Sequence, residues 1–459
     1  MEELRILSPT AILGYGFPVK SFEEGMKRHP HVIAVDAGST DPGPYYLGAG
    51  VSFTDRSAVK RDLEIMLAAA VEEGIPVIIG TAGGSGGAPH LNWTVSIIKE
   101  IAREKGLRFK MASIDAEIDK ELVAERLDKG IVTPLHPAPQ LTKEELQETE
   151  RVVGQMGMEP FIKALEQEVQ VIVAGRAYDP AVFAALPVYK GYDRGLAIHL
   201  GKILECACIA ATPGSGSDCM FGYLGDDYFK VEPLNPIRKC TTLSVAAHTL
   251  YEKTNPYILP GPGGILDLTG TKFEQETENM VKVSGSRFIP ADQYTVKLEG
   301  VKKIGYRTVS IAGTRDPVMI SQIDEIIQGV RERVDDNFSG ADMEYYLDFK
   351  VYGRNGVMGS LEPNNAISSY ELGIVIEVVA DKQDTANTIC SFARSTMLHY
   401  GYKGRISTAG NLAFPYSPSD FKAGEVYNFS IYHLMEVQDG AELFSINIEI
   451  AGGRVGFED

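Results

Sequence analysis

The first half of the chain sets short apolar runs and helical segments in alternation. VIAVDAG (32–38) precedes RSAVKRDLEIMLAAAVEEG, PVIIG (76–80) precedes NWTVSIIKEIAREKG, and FKMASID (109–115) precedes TKEELQETERVVGQMGMEPFIKALEQ, after which comes QVIVAG (170–175). The short runs, bounded by turn formers, read as buried strands, and each spacer, including the long third one, reads as a helix. This cadence predicts an α/β fold: a mostly parallel, Rossmann-like sheet with helices on both faces. In such sheets ligands sit in the loops that follow the carboxyl ends of the strands. Here those loops are DAGSTDPGP, GTAGGSGGAPH and GRAYDPA.

From about 194 to 340 the texture changes. RGLAIHLGKILECACIAATP is an apolar helix, GSGSDCMFGYLGDDYFKVEPLNPIRK is rich in loop formers, TTLSVAAHTLYEKT is a second helix, and β-rich sequence continues to about 313. Beyond 341, LDFKVYGRNG, IVIEVVADKQDTANTICSFARSTMLHYG and VYNFSIYHLMEV read as strand, strand–helix and strand. The expected organisation is an α/β domain over 1–193, an α+β region over 194–340, and a small α+β domain over 341–459. At 459 residues and 44% hydrophobic content, the chain can build its core without staples. A formal charge of −18 disfavours nucleic acid and anionic membranes as partners, but not a small anion met by a local ring of donors. The five cysteines form no CxxC, and no apolar run is long enough to span a bilayer, so a reduced, cytoplasmic protein is expected.

The glycine loop departs from both nucleotide signatures. Ala88, Pro89 and His90 stand where a P-loop needs Lys and Ser or Thr, and Pro89 replaces the last glycine of a dinucleotide fingerprint. Gly83, Gly84, Ser85, Gly86 and Gly87 either let backbone amides approach an anion or carbonyl oxygen, or simply close a tight strand–helix turn. His90 is a further candidate contact. Asp36 and Asp41 follow a strand, where aspartates serve as metal ligands or as caps. In GRAYDPA, Arg176 offers a bidentate fork to a carboxylate, or pairs with Asp179; Tyr178 lies beside them, and Asp179 before Pro180 is also a helix start.

Two helices carry ionisable stripes. His199, Lys202 and Glu205 lie at i, i+3 and i+6 of an otherwise apolar helix. Burying them costs several kcal/mol unless they are paired or bound. Either they form a self-contained network, or their shifted pKa values serve acid–base work. The helix leads into TPGSGSDCMFG, with Ser215 as a candidate substrate contact and Asp218 and Cys219 as candidate catalytic groups. In SVAAHTLYEK, Ser244, His248 and Glu252 recur every four residues, so Glu252 can orient His248 or share a metal with it.

The blocks VIAVDAGSTDPGPYYLG, VIIGTAGGSGGAPH, VIVAGRAYDPA, ECACIAATPGSGSDCMFG and VEPLNPIRKCTTLSVAAHTLYEKTNPYILPGPGGILDL resemble, in this order, the acyclic terpene utilisation protein AtuA family. The resemblance implies catabolism of branched carboxylic acids or their CoA thioesters. It also implies a small ferredoxin-like module, at the C-terminus or as a partner subunit. It gives Asp36, Asp41, His90, Arg176, Asp179, His199, Glu205, Asp218, Cys219 and His248 importance without roles. The expectation is a hydro-lyase in which the glycine loop holds a carboxylate or thioester carbonyl, Arg176 supplies charge, and His199, Glu205 and Asp179 move protons. A divalent metal on Asp36, Asp179, His199 and Glu205 would instead make it a hydrolase or isomerase. The third alternative is a non-catalytic binding subunit. A homo-oligomer is expected.

Overall fold

The computed structural model describes residues 2–251, 253–340, 343–364 and 366–453. Two compact units emerge, one of residues 1–302 and 429–459, the other of residues 303–428. The long strands Tyr294–Thr314 and Asp420–Val437 each carry the chain from one unit into the other.

The larger unit is built on a ten-stranded mixed sheet. Its centre is parallel, in the order Leu4–Ser8, Val32–Asp36, Val77–Gly80, Val171–Ala174 and Arg108–Ile114. Antiparallel strands extend it on both sides: Met220–Leu224 pairs with Leu4–Ser8, and Ile446–Gly452 pairs with Arg108–Ile114. The expected mostly parallel sheet is therefore parallel only at its centre. Met220–Leu224 and Tyr228–Pro233 join the same sheet as the first strands. Hence no unit edge falls at 193, and the last strand belongs with the first domain rather than with the expected 341–459 piece.

Period-2 alternation in the central strands feeds two cores, one on each face. Val32, Ala34, Ile78, Ile172 and Ala174 join Phe161, Val182 and Leu200 from the helices Glu159–Leu165, Asp179–Tyr189 and Arg194–Leu204. Ile33, Val35, Val77, Ile79, Val171 and Val173 instead meet Leu63, Met66 and Ile98 from Arg56–Glu73 and Ala88–Lys105. Helices on both faces are thus present. The stretch expected as one helix over 142–167 is helix Lys143–Glu148, strand Arg151–Gln155 and helix Glu159–Leu165. Val152 and Val153 favour a strand, and Pro160 starts the next helix, so the apparent helical period is broken twice.

In the smaller unit the chain runs strand, helix Ile323–Phe338, strand Tyr345–Tyr352, strand Leu372–Ala380, helix Gln383–His399 and strand. Numbered along the chain, its four strands lie in the order 2-3-1-4. Both helices pack into one core with the sheet through Ile326, Val330, Ile389 and Ala393 against Ile374 and Ile376.

Candidate functional site

At the carboxyl ends of the parallel strands, the glycine loop is buried from Thr81 through Gly87. It is sealed against its neighbours by backbone contact. Gly86, at φ +71°, donates its amide to Ala82 O and accepts from the amide of Arg176 at 3.0 Å; a Cβ there would collide with that same amide. A Cβ on Gly38 would collide with the carbonyl of Gly84. The following helix begins with the Ala88 amide donating to Glu117 at 2.8 Å, and Arg151 pairs with the same carboxylate at 3.1 Å. The anion that this helix start attracts is therefore the protein's own Glu117. Ser85 lies between the loop's contacts to Gly38 and Arg176, with its Oγ buried and without a hydrogen-bond partner among the described residues. His90 turns Nε2 to the carbonyls of Tyr46 and Val51, at 3.0 and 3.1 Å, and burial lowers its pKa.

Next to this loop stands a carboxylate centre. Arg176 is 3% exposed and donates from Nε to Glu299 at 2.8 Å and from Nη1 to Ala177 O at 2.7 Å and Asp179 at 3.1 Å. Glu299 also receives Lys297 Nζ at 2.6 Å. Although burial raises its pKa, the two cations prevail and hold Glu299 down at about 2. Arg176 thus spends Nε and Nη1 on the protein rather than on a ligand.

Asp36 and Asp179 behave in the opposite way. Burial drives the Asp36 carboxyl well above its ordinary pKa, the neighbouring Asp179 and Glu205 push it further, and Arg176 opposes. One Asp36 oxygen, Oδ1, is buried without a hydrogen-bond partner among the described residues. Asp179 is also raised by burial, against Arg176 and Lys297, while its side chain keeps 30% exposure. Asp41 is exposed, bonded to Ser39 at 2.8 Å, and close enough for its charge to act on Asp179.

The helix Arg194–Leu204 and the residues just after it divide the expected polar stripe in two. His199 is wholly buried, with Nδ1 2.6 Å from Ser286 Oγ, Nε2 3.0 Å from Thr249 Oγ1, and Phe229 and Phe273 packed edge-on. Burial lowers its pKa to about 3. It is a satisfied core histidine, away from the acid–base work expected of it. Further along, the Lys202 ammonium sits 4.8 Å from the Tyr251 ring, and Cys206 Sγ is 3.4 Å from the Tyr251 hydroxyl. His248 stacks on the same ring at 4.8 Å. Burial pushes the Cys206 thiol up, to about 12, and the charges of Glu205 and Asp36 add to the shift.

The remaining candidates are structural in place. Asp218 accepts from Arg238 at 2.7 Å, Asn235 at 2.8 Å and the Cys219 amide at 3.0 Å. Cys219 is fully buried, and burial pushes its thiol well up, so it is no nucleophile. Ser215 accepts from the Ser217 amide at 3.1 Å and closes a turn. Tyr178 packs on Gly261. Ser244 completes a capping box with Thr241, which takes it out of the expected stripe. Glu252 lies outside the described residues. Among the described residues no three His, Cys, Asp or Glu side chains come together as a set that could hold a metal ion, Asp36, Asp41, Asp179, His199 and Glu205 included.

Sequence reasoning missed Glu299 and Lys297. The one available signal was a glutamate inside the apolar alternation of VKLEGV, where an acid needs a cation.

The family model described as acyclic terpene utilisation family protein AtuA matches residues 55–218 and 237–416. No curated protein and no solved structure gives a significant match. Among the described residues no helix is long and apolar enough to cross a membrane.

Proposed function

Since the chain belongs to the acyclic terpene utilisation AtuA family, we propose that it is a lyase for the reversible hydration and dehydration of a branched carboxylic acid or its CoA thioester. The observation that carries this reading is the pair Asp36, at a strand end, and Asp179, at the helix start that follows another strand, both held toward the protonated form. Carboxyl groups that influence one another's ionisation supply an acid and a base at the same pH.

In the dehydration direction, an ionised carboxylate of the pair removes the proton α to the carbonyl. The C–O bond at the β-carbon breaks, and the hydroxyl leaves as water with the proton of the other carboxyl group. Arg176 acts through Asp179, fixing its position and charge. The Ser85 hydroxyl is the proposed donor to the substrate carbonyl. The test is a panel of branched 3-hydroxy acids and their CoA thioesters, followed through the absorbance of the unsaturated product. Asp36→Asn and Asp179→Asn are expected to keep ligand binding and to lose turnover at least a hundredfold. Unaltered turnover in both overturns the assignment.

The fold supports two finer readings. The parallel centre with helices on both faces is proposed as Rossmann-like. Residues 303–428, with two strand–helix–strand halves and the strand order given above, are proposed as the ferredoxin-like module. A module carried in the chain itself makes a separate small partner unnecessary. Turnover by the purified chain alone supports this, and turnover only after adding a second protein would favour the binding-subunit alternative.

A further inference from the structure

The two edges of the ten-stranded sheet are guarded unequally. One edge strand, Lys272–Gln275, is four residues long and exposes Lys272, Glu274 and Gln275, the short and charged form that keeps other chains from pairing. The other, Ile446–Gly452, pairs all seven of its residues with Arg108–Ile114, without a bulge or a proline. Its backbone direction follows from one bond. The Asp115 amide donates to Ser445 O at 3.0 Å, so the alternation of an antiparallel ladder turns the backbone groups of Asn447, Glu449 and Ala451 toward Arg108–Ile114. Ile446, Ile448 and Ile450 therefore aim N–H and C=O outward, where no described residue meets them. Their side chains share one face, with Ile448 36% and Ile450 53% exposed. Glu449, the one charged residue of the strand, is held by Lys99 at 2.7 Å.

A bare apolar edge of this kind recruits another strand, and its own sequence selects which one. Ile446, Asn447, Ile448, Glu449 and Ile450 keep the same apolar–polar pattern read in either direction from Ile448. A two-fold interface requires this, because each copy meets the same strand reversed. We infer that this edge joins two copies of the chain: the strands run antiparallel about a two-fold axis at Ile448, and the two ten-stranded sheets become one continuous sheet. In that register Ile450 lies opposite residue 446 of the second copy and Glu449 opposite residue 447, so isoleucine meets isoleucine and no like charges face each other. A centre at Glu449 would set two glutamates directly opposite. The outward groups of Ile446, Ile448 and Ile450 are then all bonded, two bonds for each of the three pairs.

Sedimentation velocity of the full chain across a dilution series is expected to show a dimer. Ile450→Lys places a charge at the join and is expected to raise the dimer dissociation constant at least about thirtyfold, with the circular dichroism of the fold unchanged. The register has its own test, which stands even where the lysine disturbs folding. Opposed residues of a hydrogen-bonded pair lie about 5.5 Å apart at Cα, within disulfide range, so Ile448→Cys is expected to give a reducible covalent dimer on oxidation. In Ile450→Cys the two thiols stand four residues apart, about 13 Å along the strand, and no covalent dimer is expected. The wild-type chain controls for Cys206, the one cysteine that is not buried. A monomer at the highest soluble concentration, a dimer that Ile450→Lys leaves as tight as before, or equal cross-linking of the two cysteine variants overturns the inference.

Discussion

Arg176 Nε donates to Glu299 Oε2 across 2.8 Å, with side chains 4% and 2% exposed. The strand that carries Glu299 also supplies Lys297 to its second oxygen at 2.6 Å, so one carboxylate faces two cations. Removing one member of such a buried pair strands the other's charge. Glu299→Ala is therefore expected to cost about 3–5 kcal/mol of stability, and Glu299→Leu no less. Urea unfolding of the larger unit measures it. A loss under about 1 kcal/mol would mean that water or a rearranged carboxylate replaces Glu299.

Asp36 carries the opposite linkage. Its folded pKa lies well above the ordinary 3.8, so the folded state holds a proton that the unfolded chain releases. The stability gained from that proton is complete below pH 3.8 and is lost as pH rises through the folded pKa. Burial and the charges of Asp179 and Glu205 are the causes, with Arg176 opposing. Asp36→Asn removes the ionisable group, keeps an oxygen for the Gly38 amide, and is expected to raise the melting temperature at pH 8 while abolishing turnover. A lower melting temperature at pH 8 than at pH 5, relative to wild type, would contradict the sign. Stability exchanged for function at a site is a common pattern, and it separates a working carboxylate from a structural one.

The buried histidines set the upper part of the acid limb. His199 stays neutral down to about 3 and His248 down to about 4, whereas in the unfolded chain both protonate near 6.5. Stability is therefore lost as pH falls below 6.5, by about 1.4 kcal/mol per pH unit for each ring until its folded pKa is reached. Glu299 adds its own loss only lower, from 4.5 toward about 2. In denaturation between pH 6.5 and 5, His199→Leu is expected to be less stable at neutral pH, because Ser286 and Thr249 lose their partner, yet to show a shallower slope. An unchanged slope would show that His199 titrates in the folded protein. Unchanged ligand binding in the same variant would confirm its distance from the site.

The contrast between His199 and His248 shows how far the sequence reaches. Both stand on helices with an ionisable stripe, but His199 was read as a group needing a reason to be buried and His248 as one that Glu252 orients or joins at a metal. What separates them is three-dimensional. Ser286, from the turn between two strands, and Thr249, from the helix Thr242–Leu250, come from distant positions to satisfy His199, while His248 Nε2 has no hydrogen-bond partner among the described residues. The central parallel strands were legible because VIAVD, VIIG and VIVA leave few alternatives to a buried strand. Asp36 and Asp179 followed from them by position. The division into units was not legible. Strand Ile446–Gly452 returns to pair with Arg108–Ile114, a contact across more than three hundred residues that no local pattern encodes. Glu299 was missed for the same reason, since its partner Arg176 lies 123 positions away.

The glycine loop yields the last prediction. If Gly86 is required by packing, a single methyl group there should be severe even without any ligand. Its φ of +71° is left-handed, a conformation costing a residue with a side chain about 1–3 kcal/mol. The added Cβ would also strike the Arg176 amide that Gly86 O binds at 3.0 Å. Gly86→Ala must therefore shift the Arg176 backbone, and with it the guanidinium that holds Asp179 and Glu299. Gly216 is a suitable control: a Cβ there meets only ordinary contacts, the nearest at 3.5 Å from Ala11. Gly216→Ala is expected to stay within about 1 kcal/mol of wild type, and Gly86→Ala to lose more than about 3 kcal/mol. Thermal and urea unfolding of ligand-free protein decide it. If the two substitutions are equally mild, the backbone contact is dispensable. The loop would then have room to open its amides to a substrate oxygen, and the carbonyl-binding role would pass from Ser85 Oγ to the main chain.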